Sequence, residues 1–141
     1  MYGRATEFNG KYAIMYAWYF PKDSPSPGAG HRHDWESAVV WLDSLKSQNI
    51  VAIAASAHGG FNKDTSDLKL DGSRPKIRYF NVPPSNHQLG TTRELGCSQP
   101  LIAWESLTDA ARKALTDADF EVATFDIKDA RFMDTLARAE P

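Results

Sequence analysis

Residues 12–20 (YAIMYAWYF) form an unbroken run of nine apolar or aromatic side chains, rich in strand-forming types. Extended, the run puts Tyr12, Ile14, Tyr16, Trp18 and Phe20 on one face and Ala13, Met15, Ala17 and Tyr19 on the other. Both faces are apolar, so the run predicts a central strand covered on both sides. Pro21, which cannot donate to a ladder, is expected to end it. Such a strand needs a layered domain around it. The 141 residues (15.7 kDa, 42% hydrophobic, 24% charged) suit one domain. A chain of this length buries roughly 68–70% of its unfolded surface.

Further strands are predicted over residues 35–42, over 50–57 (IVAIAASA) before the turn pair Gly59-Gly60, and more weakly over 77–81. Pro83-Pro84 and Gly90 break up the stretch after residue 81. From Thr108 the period lengthens. Thr108 is an N-cap residue by type, with Ala110, Ala111, Ala114 and Leu115 as a narrow apolar stripe. A last helix is expected to begin near Asp126, with Asp129 in its first turn and Phe132, Met133, Leu136 and Ala137 on its buried face. Neither helix carries a catalytic pattern.

The formal charge of −2 argues against nucleic-acid binding through bulk charge. No apolar run approaches the length of a spanning helix, and residues 2–11 contain no leader-like apolar stretch. Cys97, the single cysteine, cannot form an internal disulfide. That fits either a reducing compartment or a chain that is incomplete.

Chemistry concentrates in residues 23–36 (DSPSPGAGHRHDWE), which hold Asp23, His31, His33, Asp34 and Glu36. With Asp34 and Glu36 at the mouth of a strand, period two puts both carboxylates on one face, with His33 and Trp35 on the other. The Pro/Gly/Ser loop is long enough to return Asp23 and His31 to them. Three carboxylates and an imidazole at one point repel one another unless a cation lies among them. Oxygen-rich donors without thiolate favour Mg²⁺, Ca²⁺ or Mn²⁺ over structural zinc. His33 could instead orient the loop by hydrogen bonding. A merely solvated acidic loop is the competing reading. His58, before Gly59-Gly60, reads as a turn or packing residue, His87 is ambiguous, and Cys97 reads as an incidental thiol. No phosphate-cradling glycine loop or nucleophile elbow occurs.

Residues 30–36 (GHRHDWE) match letter for letter the heptapeptide signature of the necrosis- and ethylene-inducing peptide 1-like family, also called Nep1-like or NPP1. Residues 13–23 (AIMYAWYFPKD) resemble the second signature of its plant-associated type 1 members. SAHGG at 56–60, NHQLG at 86–90 and QPLIAWESL at 99–107 are similar to further family segments. The resemblance covers nearly the whole chain.

The resemblance implies a secreted cytolysin with a mainly β fold and flanking helices, a β-sandwich of the actinoporin and fungal-lectin type. It implies a divalent cation, Mg²⁺ or Ca²⁺, on Asp23, His31, Asp34 and Glu36. His33 and Trp35 then take supporting or structural roles, and His87 lies at a sugar-binding rim. The implied partners are glycosyl inositol phosphoryl ceramide head groups of plant plasma membranes and, through residues 13–36, plant immune receptors. The implied protein is non-enzymatic, monomeric and independent of nucleic acid. A metal-dependent hydrolase or lyase on cell-wall polysaccharide, and a non-toxic immune-eliciting member, are the rival readings. Family members are usually longer, with a leader and an upstream cysteine pair. The expectation is therefore a single Nep1-like domain, residues 1–141, that lacks N-terminal strands and begins just before its first central strand.

Overall fold

The apolar run becomes the middle of a 13-residue strand at the heart of a six-stranded sheet. This is the arrangement in a computed structural model that describes residues 1–24, 26–28, 30–82 and 86–141. Its strands are β1 (Tyr2–Phe8), β2 (Lys11–Asp23), β3 (His31–Leu42), β4 (Ile50–Ala57), β5 (Gly60–Asp64), β6 (Leu70–Asp71), β7 (Arg74–Pro75), β8 (Ile77–Val82), β9 (Asn86–Thr91) and β10 (Ile102–Ala103). The main sheet runs β10-β1-β2-β3-β4-β5, while β6-β7 and β8-β9 are separate hairpins. Two helices close the chain, α1 (Asp109–Asp117) and α2 (Asp129–Ala139). The fold is mainly β, with open sheets and two helices.

The two faces of the sheet are covered differently. Ala13, Met15 and Ala17 of β2, Val39 and Trp41 of β3, and Ala52 and Ala54 of β4 form one core with Phe125, Ile127, Phe132, Leu136 and Ala139. On the opposite face Ala38, Ala55 and Leu89 form a smaller core, with Trp18, Ile77 and Tyr79 packed against it. The β8-β9 hairpin covers that side, with β9 packed over β4. Tyr12, Tyr16, Trp18 and Phe20 are thus only half-buried and Tyr19 is exposed, while Ala13, Met15 and Ala17 between them carry the tight helix-side packing.

Several boundaries depart from the sequence reading. β2 continues through Pro21 to Asp23. Its pairing with β1 ends at Tyr2↔Ala17, so Pro21 occupies edge backbone on that side, where a missing N–H disturbs no ladder. β1 itself precedes the strand expected to be first. Asn9 (φ 48°) and Gly10 (φ 77°) form its tight hairpin to β2, the left-handed pair that an Asn-Gly turn favours. His58 and Gly59 turn β4 into β5 in the same way, with φ of 49° and 76°, as expected for a turn residue. β4 spans Ile50–Ala57 as expected, and β8 extends one residue beyond its expected end. Pro83 and Pro84 lie outside the described residues.

Thr108 caps α1, its hydroxyl accepting the Ala111 N–H at 3.2 Å. No residue of α1 is fully buried, and only Leu115 of its stripe packs partly on the core. α2 begins at Asp129 with Lys128 as its N-cap, so Asp126 is not the cap. Its buried stripe is Phe132, Thr135, Leu136 and Ala139. Met133 and Ala137 face solvent, one position round from the true stripe. No helix among the described residues is long and apolar enough to cross a membrane.

Candidate functional site

The β2-β3 ladder determines where the acidic residues stand. Its antiparallel register pairs Trp18 with Glu36, Phe20 with Asp34 and Asp23 with His31. Asp34 and Glu36 therefore share the hairpin-covered face with Trp18 and Phe20, as period two requires. His33 takes φ 59°, a left-handed conformation inside a strand, and interrupts the regular alternation. Its Nδ1 lies 2.5 Å from the Tyr19 hydroxyl, and its ring meets Phe120 edge-on. His33 thus belongs to an aromatic group with Tyr19, Trp35 and Phe120. Trp35 is buried, and its indole N–H has no hydrogen-bond partner among the described residues.

The loop after β2 returns tightly. Gly30 has φ 102°, and a Cβ there would overlap the Asp23 carbonyl oxygen. Only a glycine permits this approach. It brings His31 Nε2 to 3.5 Å from Asp23 Oδ2. Asp23 is essentially buried and also binds Nδ1 of His87, which reaches it from β9. Tyr79 on β8 donates its hydroxyl to Asp34 Oδ2 at 3.0 Å. The Tyr79 ring stacks on Phe20 (centroids 4.0 Å apart, 14° between planes) and on His87 (4.8 Å, 13°). Glu36, 8% exposed, accepts the Ser56 hydroxyl, and the Ser56 oxygen in turn accepts the Ser37 backbone N–H at 3.0 Å.

The electrostatics follow from this crowding. Burial raises the Glu36 pKa to about 8, and the neighbouring Asp34, Asp23 and Asp126 add to the rise. Asp34 is also raised by burial, partly offset by the Tyr79 hydrogen bond. Burial and the Asp34 carboxylate together push the Tyr79 phenol far up, so it remains a donor. His31, Asp34 and Glu36 open onto a cavity of about 370 Å³. Its other walls include Ser56, His58, Val122, Asp126, Arg131 and Arg138. Asp126 accepts the Ser37 and Thr135 hydroxyls at 3.2 and 3.1 Å, tying the cavity wall to β3 and α2.

All four residues expected at a cation site are thus neighbours. Their oxygen-rich set, with one imidazole and excess negative charge, suits a hard divalent ion. The carboxylates are turned onto His87, Tyr79 and Ser56, and among the described residues no three His, Cys, Asp or Glu side chains stand ready-made around one point. His87 touches the site through Asp23. Sequence reasoning missed Tyr79, Ser56 and Asp126. The SAHGG segment contains one of them, but nothing in its spacing points to Glu36.

The family model for necrosis-inducing protein (NPP1) matches residues 1–139. The chain belongs to the NPP1 family. "Necrosis-inducing protein NPP1" of Phytophthora nicotianae is 46% identical over 144 residues, covering 99% of this chain and 61% of that protein. Among solved structures, "NLPPya in complex with glucosamine" is 53% identical with a TM-score of 0.93, covering 98% of this chain and 66% of that one. A complex of NLPPya with mannosamine aligns equally well. The non-toxic HaNLP3 protein is 41% identical, with a TM-score of 0.93 over 99% of this chain and 67% of its own. This NPP1-family chain therefore has the toxin fold and spans about 61% of the length of the curated relatives it matches.

Proposed function

We propose that this NPP1-family chain is a non-enzymatic, secreted cytolytic effector that acts at the host plasma membrane. It binds a divalent cation, Mg²⁺ or Ca²⁺, and through that site the sugar head groups of plant glycosyl inositol phosphoryl ceramides. The observation that carries this reading is the convergence of Asp23, Asp34, Glu36 and His31 beside a cavity of about 370 Å³. Its sugar class is supported by the amino-sugar complexes of NLPPya.

Asp23, His31, Asp34 and Glu36 would hold the ion, and Glu36 would give up its proton on binding. A bound hard cation offers exchangeable positions to sugar hydroxyl oxygens. The protein contributes the pre-charged pocket and the walls from Ser56, His58 and Arg131 that limit how a sugar enters. His87, 17% exposed, would meet a sugar alongside Asp23. No described helix spans a bilayer, so surface attachment with shallow insertion fits better than a helical pore. Immune recognition of residues 13–36 fits a peptide released from the fold, because Ala13, Met15 and Ala17 are buried in the folded chain.

Asp34→Ala and Glu36→Ala are expected to abolish both cation binding by calorimetry and necrosis on leaf infiltration. They should leave immune recognition of the residue 13–36 peptide largely intact. A variant that kills leaf tissue without binding cation would sink the mechanism, and chelator-sensitive turnover of cell-wall polysaccharide would replace it with an enzyme. HaNLP3 favours one further reading, because this fold occurs in a non-toxic relative. Wild-type protein that binds cation and elicits immunity without necrosis would place this chain in that class.

A further inference from the structure

We propose that Tyr79 is a positioning residue for the cation site, its hydroxyl holding the Asp34 carboxylate in one orientation. The inference rests on the cation-site reading above and adds a residue from outside the strand pair that supplies Asp34. Asp34 and Tyr79 are 45 residues apart in sequence, yet the Tyr79 Oη–Asp34 Oδ2 distance is 3.0 Å. The ring that delivers the hydroxyl is fixed by stacking on Phe20, the cross-strand partner of Asp34, at 4.0 Å. Its stacking on His87 locks it from the β9 strand of the same hairpin. The same hairpin therefore supplies a donor to Asp34 and, through His87, a donor to Asp23.

This geometry separates two jobs of one side chain. The ring packs, on Phe20 and His87 and against the small Ala38-Ala55-Leu89 core. The hydroxyl donates to the Asp34 carboxylate. A carboxylate with one oxygen held by a fixed donor loses rotamer freedom before a cation arrives. Outer partners of this kind typically change metal affinity by about 10–100-fold.

Tyr79→Phe tests the hydroxyl alone, because phenylalanine keeps both stacking contacts. Wild-type and variant full chains are titrated with MgCl₂ and, separately, CaCl₂ by calorimetry at 10 °C. Circular dichroism and metal-free melting are recorded alongside. The expected result is a Kd weakened about tenfold or more, with the metal-free spectrum unchanged and the metal-free Tm within about 3 °C of wild type. A variant with wild-type Kd overturns the proposal. So does a variant whose metal-free Tm collapses or that is unfolded at 10 °C, since Tyr79 would then be a packing residue. Wild-type protein that binds neither ion would overturn the cation reading itself, a result distinguished by the failure of the unmodified chain.

Discussion

Gly30 lies so close to the Asp23 carbonyl oxygen that any side chain there would overlap backbone. That contact closes the loop between β2 and β3 and places His31 beside Asp23. Gly30→Ala must therefore move backbone as well as adopt φ 102°. We expect a loss of about 1–3 kcal/mol of stability and a marked weakening of Mg²⁺ and Ca²⁺ affinity. Urea unfolding and calorimetry check the two effects together. Unchanged affinity in a folded variant would show that the loop closure does not serve the site.

Glu36 makes the metal-free protein sensitive to pH in an unusual direction. Its pKa rises from an ordinary 4.5 in the open chain to about 8 when folded. Between those values the folded state holds a proton that the unfolded state has lost. Stability is thus highest below about pH 4.5, as far as this residue is concerned, and falls as pH rises towards 8. Melting at pH 5, 6.5 and 8 with chelator should show that decline, and Glu36→Gln should flatten it. Mg²⁺ or Ca²⁺ should raise the melting temperature more at pH 8 than at pH 5, because cation and proton compete for one carboxylate.

Arg4 on β1 fastens the sheet to the C-terminal segment. Its Nη1 donates to the Ile127 carbonyl at 2.9 Å and reaches Asp129 at 2.7 Å, while its guanidinium lies 4.5 Å over the Phe132 ring. Asp129 and its other ionic partner Glu105 are largely exposed, so most of the effect comes from the carbonyl and the ring. Arg4→Met should cost about 1–3 kcal/mol in urea unfolding. Arg4→Lys should recover only part of it, because an ammonium cannot make the carbonyl bond and the ring contact with one planar fork.

How much can be read from the residues alone depends on sequence distance. Asp34 and Glu36 fall on one face because a strict two-residue period leaves no choice, and β4 is bounded correctly because its apolar run ends at a turn pair. The strand over residues 2–8 is hidden because Arg4 and Glu7 break its apolar pattern, although Asn9-Gly10 marks a hairpin. Pro21 does not stop β2 because the partner strand on that side has already ended. Met133 reads as inward because a helical stripe can be rotated by one residue without changing its count of apolar side chains; Thr135, a polar residue, completes the true one. Tyr79, His87 and Ser56 reach the acidic residues from other strands, 20 to 64 residues away. No local spacing encodes such meetings.

The centre of the sheet is paved with Ala13, Ala17, Ala38, Ala52, Ala54 and Ala55. A methyl group is the smallest spacer a side chain can provide, and it has no rotamer with which to absorb a misfit. The helix-side layer and the hairpin layer are therefore set against a floor of nearly fixed height. Adding two methyl groups at Ala54 would lift the first layer, and adding them at Ala55 would lift the second, each independently of the other. The height at which the Tyr79 ring reaches down to Asp34 is thus calibrated by Ala38 and Ala55, the small residues of the floor it packs against.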